Sequence, residues 1–350
     1  MIKPPVTLQK LYLLYLCVSI TVSAVSCKVL FPEDPRNLLS GDLVPPTVVS
    51  VLAEGEREIQ ILFDKPVTAE KKQVSVSGGN EVTGISRDGL ALTVHIRDAI
   101  PPGERQVLDG IFRDGSHNQL MLITPVYGYN PNPAGLLINE FTTRGNDTHP
   151  DRVELLVTSS GNTAGITFFD GVKHDYRQKK VLPAIEVTEG EYLIIHCRST
   201  DPAALDETED PSSSQLPGTH DEAWDVFIPD GVGLSSNNGV LSLYDSPEGA
   251  CMNGVFYSNR TSQSDDQYRG FGSSSMKQRT MALCSEGGWD ACPQKVKPED
   301  GIDSTYSTAT RSMSRIEGSS TDSRNDWIVV PTRGATFGYE NNQNQYHPDP

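Results

Sequence analysis

The sequence predicts an all-β protein: two β-sandwich domains in tandem, the second enlarged by loop insertions. At 350 residues the chain is long enough for two domains that each bury a core. Its 30 Gly and 24 Pro, with 36% hydrophobic and only 7% aromatic residues, suit a loop-rich β protein better than a helical bundle. Apolar residues recur mainly at a period of two, and the best helix candidate, Ser275 to Leu283, is short.

Residues 1–26 read as a secretory signal. Lys3 and Lys10 precede the apolar run from Leu11 to Ile20, and a weakly polar stretch from Thr21 to Ser26 leads into Cys27. The run falls short of the roughly 20 apolar residues a membrane-spanning helix needs. Ala24, Val25, Ser26 and Cys27 together resemble the lipobox of bacterial lipoproteins, with Ala24 where Leu is usual. The resemblance implies cleavage before Cys27, acylation of its thiol by diacylglycerol, and attachment to a lipid bilayer without crossing it. Each buried methylene of such a chain contributes roughly 0.8 kcal/mol, and stable anchoring takes more than one chain. Residues 27–44 carry Pro32 and Pro35 and few large apolar side chains, so they are expected to form a flexible tether. At up to ~3.3 Å per residue it reaches ~50 Å from the lipid.

Residues 45–126 make the first expected domain. Leu90, Leu92, Val94 and Ile96 alternate with Ala91, Thr93 and His95, the pattern of a half-buried strand. Ile59 to Phe63 and Val74 to Val76 repeat it, while Ser77 to Asn80, Arg87 to Gly89 and Pro101 to Gly103 supply turns. His95 falls on the polar side and reads as a surface residue; His117 belongs to a tight turn from Asp114 to Asn118. Pro45 to Val51, Ile61 to Val67, Ala99 to Gly103 and Gly110 to Asn118 resemble the bacterial immunoglobulin-like repeats of surface-layer and adhesin-type proteins. That resemblance implies a small immunoglobulin-like sandwich. Tyr127 to Gly135, with two prolines and two glycines, is a stiffened linker.

The second domain is expected over residues 136–340. Leu136 to Phe141 and Asp151 to Val157 are short apolar runs, each with a carboxylate inside it, joined by turn-forming residues, and they read as two strands of one sheet. Ile138-Asn139-Glu140-Phe141, then Val153-Glu154-Leu155, then Ser312-Met313-Ser314-Arg315-Ile316, then Asp326-Trp327 with Pro331-Thr332-Arg333-Gly334 follow in the order of the lamin tail domain, which they resemble. That resemblance implies a second immunoglobulin-like sandwich serving as an interaction or tethering module. Strand patterning predicts Ile138, Val153, Leu155, Ile194, Leu241, Leu243, Phe256, Ile328 and Val330 in its core. Glu140 and Glu154 sit beside apolar neighbours, and alternation sends them to a polar face or an end-of-sheet hydrogen bond.

Two insertions enlarge this domain. Residues 201–222 hold Asp201, Asp206, Glu207, Glu209, Asp210, Asp221 and Glu222 and no Lys or Arg. Clustered oxygens suit a hard cation, but Pro211 stands where a calcium loop of the EF-hand type needs Gly. A solvated, mobile acidic loop is therefore expected. Residues 258–308 are expected to cover one end of the sandwich, and 341–350 to form a disordered tail.

With Cys17 in the signal and Cys27 acylated, Cys197, Cys251, Cys284 and Cys292 remain. In an exported chain they allow two disulfides in any of three connectivities, among them Cys284 with Cys292 and Cys197 with Cys251. The sequence has no Cys-x-x-Cys zinc spacing, Gly-x-Ser-x-Gly elbow, His-Glu-x-x-His pair or phosphate loop. His149, Asp151 and His174 come nearest to a metal or acid–base cluster. The formal charge of −17 repels phosphate backbones, so no nucleic-acid partner is expected.

The sequence thus points to a lipid-anchored, extracytoplasmic binding or tethering protein. No catalytic residue and no cofactor is expected, and the protein or glycan it binds is unidentified. Two alternatives stand beside it: a divergent metal-dependent nuclease or phosphoesterase using His149, Asp151 and His174, and a carbohydrate binder using a row of Tyr127, Tyr129 and Trp289.

Overall fold

The structure, a computed structural model, describes residues 42–348 except 199–200, 202–203, 260–267, 269, 290–291, 293–294 and 320. The signal sequence, Cys27 and nearly all of the tether lie outside the described residues. The first half comprises β1 (Val48–Gly55), β2 (Glu58–Phe63), β3 (Val67–Thr68), β4 (Val74–Val76), β5 (Val82–Asp88), β6 (Ala91–Ile96), β7 (Arg105–Asp114) and β8 (Gln119–Tyr127). One sheet has the order β1-β2-β6-β5; in the other, β7 pairs with β3 and β4 on one edge and with β8 on the other.

Alternation builds this sandwich. Ile59, Ile61 and Phe63 of β2 and Leu92, Val94 and Ile96 of β6 are buried while their sequence neighbours are not, and Phe63 meets Phe112 of the facing sheet at 5.2 Å. Leu90, expected to continue the β6 pattern, lies in the preceding turn with 43% of its surface exposed. His95 points outward, 2.9 Å from the Ser86 hydroxyl.

The second half comprises β9 (Gly135–Phe141), β10 (Arg152–Ser159), β11 (Gly161–Asn162), β12 (Thr167–Val172), β13 (Asp175–Val181), β14 (Glu186–Val187), β15 (Tyr192–His196), β16 (Trp224–Phe227), β17 (Asn238–Tyr244), β18 (Cys251–Ser258), α1 (Ser274–Ser285), β19 (Ile302–Asp303), β20 (Met313–Arg315) and β21 (Trp327–Val329). A six-stranded sheet, β16-β15-β10-β9-β20-β21, faces a five-stranded one, β13-β12-β17-β18-β19. Ile138, Val153, Leu155, Leu241, Leu243 and Phe256 meet between them. Ile194 is buried on the opposite face of its sheet, and Val330 is buried next to β21. Ile328 is half-exposed, because β21 is an edge strand that turns Trp327 and Val329 inward instead.

β12, β16 and β17 of this half are buried on both faces. Helix α1 starts where the Ser273 hydroxyl accepts from the Met276 N–H, a standard N-cap. It lays Met276, Thr280 and Leu283 over β12, β17 and β18. A Cβ at Gly254 of β18 would lie 2.4 Å from Leu283, so glycine permits the close approach of helix and sheet. Asn130 of the linker donates to the carbonyls of Asn162 and Ala164 at 2.8 and 3.0 Å, tying the linker to the second half.

Candidate functional site

The outer face of the six-stranded sheet carries several buried ionisable groups, among them Glu140, Glu154, His196 and Asp225. Val153, Leu155 and Val157 of β10 enter the core, so Arg152 and Glu154 take the other face. Register places Glu154 beside Glu140 on β9, Glu140 beside Ser314 on β20, Arg152 beside His196 on β15, and Ile194 beside Asp225 on β16. Were the face open, water would solvate all of them.

Instead the chain after β21 returns across it. Thr336 donates its N–H to Glu140 at 2.9 Å and its hydroxyl at 3.2 Å, while Gly338 donates its N–H to Glu154 at 2.5 Å. Ser312 and Ser314 hydroxyls also donate to Glu140, and the Asn139 amide donates to Glu154 at 2.8 Å. Phe337 packs under the Arg152 guanidinium at 4.4 Å and clusters with Ile194 and Ala223. Asn341 donates to the Arg315 carbonyl at 2.8 Å, and the Tyr346 N–H donates to the Val329 carbonyl at 2.7 Å. Within the expected disordered tail at 341–350, Asn341 and Tyr346 are thus hydrogen-bonded to strands β20 and β21.

Burial, then the Glu140 charge, push the Glu154 carboxyl up to about 8. Burial also lowers the Arg152 pKa, against the pull of Asp225, Glu140 and Glu154. Next to it, His196 Nε2 lies 2.5 Å from Asp225 Oδ1, its ring stacked on Phe227 at 4.5 Å. Asp225 Oδ2 accepts from the His220 N–H at 2.7 Å. Sequence reasoning did not single out Arg152, His196 or Asp225, nor Thr336 and Gly338; strand alternation around Arg152 and His196 was the available signal.

The acidic insertion closes one side of this face. Glu207 is buried and accepts from the N–H groups of Asp225 and Ser214, both at 2.7 Å. Asp206 accepts from the Phe227 N–H at 2.8 Å and from Lys180 at 2.5 Å. The expected solvated, mobile loop at 201–222 is thus corrected for this part, because two of its carboxylates cap an edge strand. Among the described residues no group of His, Cys, Asp and Glu is placed to hold a metal ion.

His149, Asp151 and His174 are not brought together. His149 lines a cleft of about 270 Å³ with Arg152, His196 and Arg198. Asp151 is buried and accepts from the N–H groups of Gly145 and Leu234 at 2.6 and 2.8 Å, and His174 lies in the turn between β12 and β13. The aromatic row is corrected too. Tyr127 and Tyr129 line a cleft of about 340 Å³ between the two halves, whereas Trp289 is buried edge-on to Phe256 at 5.5 Å.

Cys284 and Cys292 are joined, with their Cα atoms 5.7 Å apart. Cys197 and Cys251 are both free thiols. The expected Cys197–Cys251 bridge is corrected: Cys197 follows β15 in one sheet and faces the core, and Cys251 opens β18 in the other.

These features define a two-sandwich, all-β protein whose second sandwich buries a polar face under its own C-terminal segment. The chain belongs to the family of TP_1001 protein second domains, whose model matches residues 134–329. An uncharacterized protein of Treponema pallidum (strain Nichols) is 37% identical over 109 residues, 30% of this chain. The chain spans only 27% of that relative's length. Among solved structures, the N-terminal part of the bacterial S-layer protein SbsC aligns with a TM-score of 0.24 at 15% identity, over 61% of this chain and 44% of that one. SbsC domains 1–6 align with a TM-score of 0.24 at 13% identity, over 61% of this chain and 41% of that one.

Proposed function

We propose that this protein is a surface-associated binding or tethering module without catalytic activity, held at a bacterial membrane by lipid on Cys27. On this reading residues 1–26 are removed, 27–44 act as the tether, the two sandwiches are immunoglobulin-like, and the second is a lamin-tail-like module presenting surface to a protein or glycan. One observation carries it. Glu140 and Glu154, the carboxylates nearest to a catalytic pair, accept hydrogen bonds from Ser312, Ser314, Thr336, Asn139 and Gly338, so their acceptor capacity serves the fold.

Mass spectrometry of the mature N-terminus, in wild type and in Cys27→Ala, tests the anchor. The expected wild-type product begins at Cys27 and carries the mass of acyl chains, and Cys27→Ala is neither cut there nor acylated. An unmodified wild-type thiol would refute lipidation. Assay of the purified protein on a phosphodiester substrate, with and without chelator, tests the absence of catalysis; turnover abolished by the chelator would overturn it.

A further inference from the structure

Helix α1 has two working faces. Met276, Thr280 and Leu283 are buried against the sheet. Lys277, Met281, Cys284 and Ser285, spaced at helical intervals on another face, line a groove of about 750 Å³ whose far wall includes Tyr268, Phe271 and Val296. That volume lies within the roughly 300–1,000 Å³ typical of small-molecule sites. Met281 leaves 54% of its surface open there, an apolar side chain that the fold does not use. The disulfide from Cys284 to Cys292 ties the end of the helix to a second segment that lines the groove.

Charge at the groove runs against that of the chain. The whole protein carries −17, yet Lys277, Lys295 and Lys297 all line this groove, and among the described lining residues Glu299 is the one acid. Among the described residues none of these three lysines makes a salt bridge. An apolar trough with unpaired ammonium groups matches a ligand with a long hydrocarbon chain and one anionic head. The chain gains by leaving water along Met281, Phe271 and Val296, and the head is held by lysines free to reach it.

We propose that this groove binds a free long-chain carboxylate. The anion would sit among Lys277, Lys295 and Lys297, and the alkyl chain would lie along Met281 and Phe271. This inference does not depend on the anchor or on the absence of catalysis.

Fluorescence titration of the full-length protein with a dansyl-labelled undecanoic acid, followed by displacement, tests it. The expected result is saturable enhancement, displaced by palmitate and at least about tenfold less well by hexadecanol, which corresponds to about 1.4 kcal/mol for the head group. Lys277→Glu with Lys295→Glu and Lys297→Glu, all at exposed positions, should weaken the probe by about tenfold or more at unchanged Tm. Met281→Asp should weaken it while leaving the circular dichroism spectrum unchanged. Absence of saturable binding to the wild type, or equal displacement by acid and alcohol together with wild-type affinity in both variants, would overturn the proposal.

Discussion

Glu154 stands directly across from Glu140 on the neighbouring strand, and neither residue is open to water. Two carboxylates so placed cannot both ionise cheaply, and the Glu154 carboxyl is raised from 4.5 to about 8, by burial first and the Glu140 charge second. The folded protein therefore holds a proton that the unfolded chain releases near 4.5. The stability this proton contributes is fully present below that value and is lost as pH rises toward about 8. The slope contributed by one such group reaches at most about 1.4 kcal/mol per pH unit. Urea denaturation from about pH 5 to 9 should show wild type losing stability relative to Glu154→Gln, with the difference levelling off above about 8. Asp170, raised by burial to about 6, adds a slope of the same sign to both proteins, so the comparison isolates Glu154. A difference that is flat across this range would show that Glu154 is not the group that holds the proton.

The returning segment rests on Gly338. Its φ of +82° lies in the left-handed region, and a Cβ there would meet His220 Nδ1 at 2.5 Å. Gly338→Ala should therefore displace the N–H that serves Glu154 and destabilise the second sandwich by about 1–3 kcal/mol. Thermal unfolding and proteolysis between 331 and 346 read the effect. Faster cleavage there than in wild type is expected, and an unchanged Tm with unchanged cleavage would contradict the role given to this glycine.

Period-two patterning made the first sandwich legible down to individual residues: Ile59, Ile61 and Phe63 alternate in sequence and in burial alike. In the second sandwich the same rule placed Ile138, Val153, Leu155, Leu241, Leu243 and Phe256 inside, but it put Ile194 and Ile328 there too and gave no sign that the polar outer face is covered. Alternation tells which residues share a face, not whether something later covers it. Thr336 and Gly338 reach carboxylates 196 and 184 residues away in sequence, and nothing local to Glu140 or Glu154 announces that cover. Asp206 and Glu207 were missed for a related reason. Composition marks an acidic loop as solvated, yet the unpaired edge of β16 needs acceptors for its N–H groups, and these two supply them.

Asp151 was singled out as a possible metal ligand, but its bonds are those of a loop anchor. It joins the N–H of Gly145 in one loop to that of Leu234 in another, and burial raises its pKa against those bonds. Asp151→Ala would strand two donors at a buried position, so a loss of about 2–5 kcal/mol is expected by denaturant titration. Asp151→Asn, which keeps one carbonyl acceptor, should lose less. Equal loss in both would mean that the negative charge, and not the acceptor geometry, is what the site requires.

The cysteines separate by reactivity. The thiolate is the nucleophile, so a thiol whose pKa is raised reacts slowly at neutral pH. Cys197 is fully enclosed and burial raises its pKa well above the usual thiol value, while burial and Glu286 push partly buried Cys251 up to about 11. Alkylation of the native protein followed by peptide mapping should therefore label Cys251 slowly and Cys197 only on unfolding, with Cys284 and Cys292 labelled only after reduction. Closing a loop of 8 residues' separation constrains the unfolded chain, so replacing Cys284 and Cys292 together by Ser should cost about 2–3 kcal/mol. Label on Cys284 without reductant, or protection of Cys251 that persists in denaturant until reduction, would instead mean that the bridge joins a different pair.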